Sequence, residues 1–228
     1  GSRVTFMVRT DFRFRRSVAT IGPTLHRLRI KNSKFKIYGV ERASFRARCC
    51  AVGGDGRIAL VMRVLETPSE EDLRQFDAFA LEHGVDIWLQ PKGPDSCYPM
   101  HKDALTALKL ELTEFGVFIS FKPTDFTQVN HRLNETMVSR AINLLDVHPD
   151  HKVADFFCGL GNFTLPLAVR SQKVIGIEGS DQLVERARAG AADNGLAEKT
   201  EFVARNLFTW CDEDWDKLWN QMGGIDRV

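Results

Sequence analysis

The chain has 228 residues, of which 43% are hydrophobic and 27% charged. That is enough apolar material for one large or two ordinary cores, and it excludes a disordered or low-complexity chain. Net charge is only +1, yet residues 1–60 hold 14 Lys and Arg against 3 Asp and Glu, while the remainder holds 17 against 27.

The leading Gly1 and Ser2 read as a cloning remnant. Residues 3–8 alternate as a strand would. Arg13, Arg15, Arg16, Arg27, Arg29, Lys31, Lys34 and Lys36 are interleaved with Phe12, Phe14, Phe35 and Tyr38. Arginine offers forked phosphate contacts and aromatic rings offer stacking platforms for unpaired bases, so this stretch is a candidate RNA contact. Its strongest members are Arg13, Arg15, Arg16, Lys34 and Lys36. Alternation alone also fits an amphipathic sheet that places its charges in water. Residues 57–62 read as a strand. Residues 68–83 read as a helix, with Ser69 as cap and Gly84 as stop. A strand at 85–89, a turn-rich loop at 90–96 and a strand at 115–121 follow. Together, residues 1–124 make a mixed α+β module.

The chain divides near residue 125, and residues 125–228 read differently. A helix is expected over 130–146, with Leu133, Met137, Ala141 and Leu144 on one face. Pro149 breaks it. A short apolar run then ends in Asp155, turns through Gly159 and Gly161, and re-enters an apolar helical run. A second apolar run, 173–177, ends in Glu178. A helix over 180–194 and a third strand over 200–206 complete the pattern. Strand, glycine-rich loop and helix, followed by a strand ending in an acid, is how an α/β sheet builds a pocket for an adenosine-containing cofactor. The loop places Thr164 where a dinucleotide fold has its third glycine, and no triphosphate-type loop occurs. An acid at each strand end and no phosphate cradle favour S-adenosylmethionine (SAM). The fold class expected is α/β: an incomplete Rossmann-like, SAM-dependent methyltransferase sheet preceded by the smaller mixed module.

The words D-F-F-C-G-L-G-N-F-T at 155–164 and D-F-T-Q-V-N at 125–130 resemble the uracil-5 RNA methyltransferases. W-L-Q-P-K-G-P at 88–94 and the string at 122–130 look most like the branch acting on 23S ribosomal RNA. The resemblance runs from about residue 52 onward. It implies SAM as cofactor and ribosomal RNA as partner. By the same resemblance Gln128, Phe157 and Asn162 would line the methionine side of the pocket, with Asp155, Gly159 and Gly161 in the same loop. Glu178 would hold the ribose hydroxyls, and Asn206 would sit near the adenine. The mechanism implied is covalent: a cysteine thiolate adds to carbon 6 of uracil, carbon 5 takes the methyl group, a base removes the carbon-5 proton and the cysteine leaves. The S-C-N-P string that carries that cysteine in the family, and the glutamate base after it, do not occur here. No catalytic residue is therefore assigned, and the chain reads as a cofactor-side portion. A tRNA-directed relative, a non-catalytic RNA-binding fragment and a small-molecule methyltransferase are the alternatives.

The five cysteines are Cys49, Cys50, Cys97, Cys158 and Cys211. They form no C-x-x-C and no zinc-type spacing, so neither zinc nor an iron–sulfur cluster is expected. Cys158 reads as a small packed residue, adjacent Cys49 and Cys50 as a buried pair, and Cys211, beside an acidic run, as a poor thiolate. Unpaired cysteines without a signal peptide argue for a reducing cytoplasm. No apolar run approaches the roughly 18 residues of a membrane span. No membrane contact and no obligate protein partner are expected.

Overall fold

The computed structural model describes residues 45–101, 107–128 and 130–228, with the side chains of 45–49 left aside. Their contacts gather into two compact units. Among the described residues the first takes 45–101, 107–108 and 122–128, and the second takes 109–121 and 130–228. Neither is a single run of chain.

In the first unit, β1 (Phe45–Val52), β2 (Ile58–Val64), α1 (Glu70–His83), β3 (Val85–Gln90) and β4 (Tyr98–Pro99) follow in order. The sheet order is β1-β2-β3-β4. β2 and β3 pair in parallel, joined through α1. Ile58, Leu60, Met62 and Val64 alternate along β2, and Val85, Ile87 and Leu89 along β3. They meet Phe76 and Phe79 of α1 in one core. α1 starts where the sequence says it should. Ser69 accepts from the Asp72 amide, and the Asp72 carboxylate accepts from the Ser69 amide at 2.8 Å. Gly84 ends the helix at φ 63°.

In the second unit, β5 (Leu108–Leu112) and β6 (Val117–Phe121) form a two-stranded sheet. The edge of β6 is held by Asn194, whose amide accepts from the Phe118 N–H at 2.9 Å and donates to its carbonyl at 2.8 Å. Then come α2 (His131–Leu145), β7 (Lys152–Phe156), α3 (Thr164–Arg170), β8 (Lys173–Glu178), α4 (Asp181–Asp193), β9 (Thr200–Ala204) and α5 (Asp212–Met222). β7, β8 and β9 are parallel and adjacent in that order. On the other side of β7 the chain returns: Asp226 donates its N–H to the Lys152 carbonyl at 2.8 Å, and Ala154 donates to the Arg227 carbonyl at 3.0 Å. Arg227 pairs in parallel with Val153. β7 therefore stands at the reversal of strand order, where open α/β sheets take their ligands.

Ala154, Ile175 and Ile177 face Leu218 and Met222 of α5, with Phe156, Trp210 and Trp215 packed beside them. The intervening positions Asp155, Gly176 and Phe202 lie level across the three strands. Gly176 is required sterically. A β-carbon there would stand 2.8 Å from Phe202 Cδ1 and 2.9 Å from Cys158 Sγ. Gly176→Ala is expected to lower unfolding free energy by roughly 1–3 kcal/mol through overpacking. Urea denaturation checks this, and an unchanged midpoint would show that ring and thiol move aside freely.

Two expectations are overturned. On α2 the buried residues are Asn134, Val138 and Ile142, whereas Leu133, Met137 and Leu144 are exposed. The inward face is a clean i, i+4, i+8 row. It was hidden because its first member is an amide rather than an apolar side chain. Cys50, for its part, is exposed rather than buried.

Candidate functional site

β7 and β8 end side by side, and their carboxyl ends carry the two acids. Asp155 lies one residue before the end of β7, and its Oδ2 accepts the buried Thr164 hydroxyl at 2.5 Å. Thr164 opens α3, so the residue standing in place of a third glycine fastens this carboxyl group to the helix start. Burial raises the Asp155 pKa to about 6; the Thr164 hydrogen bonds oppose the rise, and the negative charge of Glu178 adds to it.

Glu178 closes β8 and organises the loop from the neighbouring strand. Its Oε2 accepts from the Gly159 N–H at 3.1 Å. Its Oε1 accepts from the N–H groups of Gly179 at 2.8 Å and Ser180 at 3.2 Å. Each carboxylate oxygen has two acceptor sites, and the Gly159 N–H takes one of those on Oε2. Between the acids runs the loop itself. Gly159 at φ 56° and Gly161 at φ 91° take left-handed backbone that side-chain-bearing residues resist. A β-carbon on Gly159 would meet nothing within 4 Å, so the backbone there borders open space.

Phe157 also has a positive φ, 60°. For a bulky residue this is strained, and such strain gathers at functional loops. Its ring is exposed and meets exposed Phe208 edge-on, centroids 6.2 Å apart. Asn162 pairs its amide with that of Asn134. Cys158 is buried, and burial together with the charges of Asp155 and Glu178 pushes its thiol up to about 12. A thiol so raised stays protonated near neutral pH, in keeping with a packed side chain.

The structure thus brings Asp155, Phe157, Gly159, Gly161, Asn162 and Glu178 to the carboxyl ends of β7 and β8. Asn206 follows β9, exposed, with its side chain accepting from the Phe208 N–H at 3.0 Å. That is the bond of a turn former. Gln128 is exposed and belongs to the first compact unit. Arg13, Arg15, Arg16, Lys34 and Lys36 lie outside the described residues. Sequence reasoning missed Asn134, Thr164 and Phe208. Only Thr164 left a signal, by standing where a glycine was sought. Among the described residues no group of His, Cys, Asp and Glu could hold a metal ion, and no helix is long and apolar enough to cross a membrane.

Parallel strands with a reversal at β7, a left-handed glycine loop and an acid closing the next strand define a Rossmann-like sheet of the methyltransferase type. The chain belongs to the tRNA (Uracil-5-)-methyltransferase family, whose model matches residues 70–204. It is 51% identical over 175 residues to the 23S rRNA (uracil(1939)-C(5))-methyltransferase of Bordetella pertussis, covering 77% of this chain and 37% of that protein. To the protein of the same name from Cupriavidus pinatubonensis it is 53% identical over 159 residues, covering 68% and 34%. The chain therefore spans about a third of the length of these relatives. Its fold is similar to that of the Pyrococcus abyssi tRNA (uracil-54, C5)-methyltransferase solved with S-adenosyl-L-homocysteine, at a TM-score of 0.51, 18% identity and coverage of 69% of this chain and 38% of that one.

Proposed function

We infer that this chain is the cofactor-binding part of an enzyme that transfers a methyl group from SAM to carbon 5 of a uridine in 23S ribosomal RNA. The observation that carries the reading is Glu178. It binds the loop after β7 while closing β8, and it keeps an acceptor for a ribose hydroxyl. The site fits SAM chemically. Asp155 and Glu178 suit a ligand bearing a sulfonium and an ammonium, and the open backbone at Gly159 admits close approach. When bound, SAM supplies an electrophilic methyl group. Phe157, Gly161 and Asn162 line the loop, and Asn206, which follows β9, is assigned to the adenine side. The basic stretch containing Arg13, Arg15, Arg16, Lys34 and Lys36 belongs to the 1–124 module, to which we assign RNA contact. The residues proposed here bind and orient.

Ribosomal RNA is favoured over tRNA because the relatives near 50% identity carry a 23S rRNA activity in their names. Calorimetric titration of this chain with S-adenosylhomocysteine tests the cofactor reading, with one saturable site expected. A folded chain that takes up none overturns it. Competition between a 23S rRNA fragment and tRNA for the loaded chain tests the RNA class, with the ribosomal fragment expected to win.

A further inference from the structure

One buried side-chain amide facing the glycine loop plays no part in the cofactor contacts proposed for this site. Asn134 is 2% exposed on α2. Its neighbours on the inward face, Val138 and Ile142, are apolar. If the position served only to fill the core, an apolar residue would do so without the cost of desolvating an amide. Instead the side chain commits its amide to one partner. Asn134 Nδ2 donates to Asn162 Oδ1 at 2.9 Å, and Asn162 Nδ2 donates back to Asn134 Oδ1 at 3.0 Å. A reciprocal pair of this kind fixes both the distance and the orientation of the two groups. The loop it holds contains two left-handed glycines, each adding conformational freedom that must be removed for the loop to keep one shape. Side-chain fastenings from two neighbouring elements help to remove it. Glu178 takes the Gly159 N–H from the β8 side, and Asn134 takes Asn162 from the α2 side. Between them, Gly161 donates its N–H to the Cys158 carbonyl at 2.8 Å.

We propose that Asn134 is a positioning residue for the cofactor loop. It touches no cofactor and acts through Asn162, clamping the loop to α2 so that the Gly159–Asn162 backbone is pre-shaped for the ligand. The inference rests on the cofactor reading for its ligand, and on the hydrogen-bond geometry alone for the clamp.

The test compares Asn134→Ala with Val138→Ala, one turn further along the same buried face. S-Adenosylhomocysteine affinity is measured by calorimetry, and the exchange of the Gly159 and Gly161 amides by hydrogen–deuterium exchange. Asn134→Ala is expected to weaken binding tenfold or more and to speed exchange at both amides by at least as much. Val138→Ala is expected to lower the melting temperature while leaving affinity within twofold and loop exchange unchanged. Equal loss in the two variants, or unchanged loop exchange in Asn134→Ala, overturns the clamp. If Asn134→Ala does not fold, Asn162→Ala, on the half-buried side of the pair, supplies the exchange readout alone: faster exchange at both amides supports the clamp and unchanged exchange overturns it. A wild-type chain that binds no S-adenosylhomocysteine sinks the cofactor reading, while amide exchange still decides the clamp.

Discussion

Glu178→Ala is expected to weaken S-adenosylhomocysteine binding by tenfold to hundredfold, about 1.4–2.8 kcal/mol. The side chain has two roles, and the substitution removes both. It orders the Gly159 end of the loop and the start of α4 through three backbone N–H groups. In the proposed site it also offers the remaining acceptor on Oε2 to a ribose hydroxyl. Hydrogen bonds to a charged acceptor contribute roughly 1.5–3 kcal/mol each, so the loop would relax even before the ligand arrives. Glu178→Gln separates shape from chemistry. Glutamine keeps the length but turns one oxygen into an NH₂ donor, which then faces the N–H of Gly159 or those of Gly179 and Ser180. It is expected to bind nearly as poorly as the alanine variant. The 2′-deoxy analogue of S-adenosylhomocysteine isolates the ribose contact. Wild type should discriminate against that analogue, and Glu178→Ala should not. Wild-type affinity in Glu178→Gln, or equal discrimination in both proteins, would remove Glu178 from the ribose.

The parts of this molecule that read well in the sequence are those set by local rules. Ser69 and Gly84 bound α1 because a side-chain cap and a left-handed stop are properties of single residues. The strand ending at Glu178 and the two loop glycines were legible for the same reason. The inward face of α2 was not. Periodicity weighs apolar residues, and the row Asn134, Val138, Ile142 begins with a polar one whose partner lies 28 residues away. Leu133, Met137 and Leu144 supplied a false apolar stripe on the exposed side. Asn206 shows the opposite difficulty. Its bond to the Phe208 N–H is the local turn that any asparagine in such a loop would make, and the bond carries no sign of a ligand. The tie from Thr164 to Asp155 was invisible because it needs α3 folded back onto the end of β7.

That tie leads to the pH behaviour of the site. A carboxyl group raised from 3.8 to about 6 holds its proton longer in the folded chain than in the unfolded one. Its contribution to stability is therefore complete below pH 4. It is lost as pH rises through 6, because the unfolded state then ionises more easily. The loss is about 3 kcal/mol at most. Asp155→Asn keeps an acceptor for the Thr164 hydroxyl and removes the charge. It is expected to melt several degrees above wild type at pH 8 and level with it near pH 4. Binding should run the other way. A sulfonium and an ammonium favour the ionised carboxylate, so wild-type affinity for SAM is expected to tighten about tenfold from pH 5 to pH 7.5. Asp155→Asn should bind weakly and show no such rise. An Asp155→Asn variant that is less stable than wild type at pH 8 would show that the charge is already neutralised by the fold. Flat wild-type affinity across that range would mean that the cofactor does not meet Asp155. The expected rise, by contrast, means that at neutral pH the site holds a carboxylate whose ionisation opposes folding and which the cationic ligand relieves.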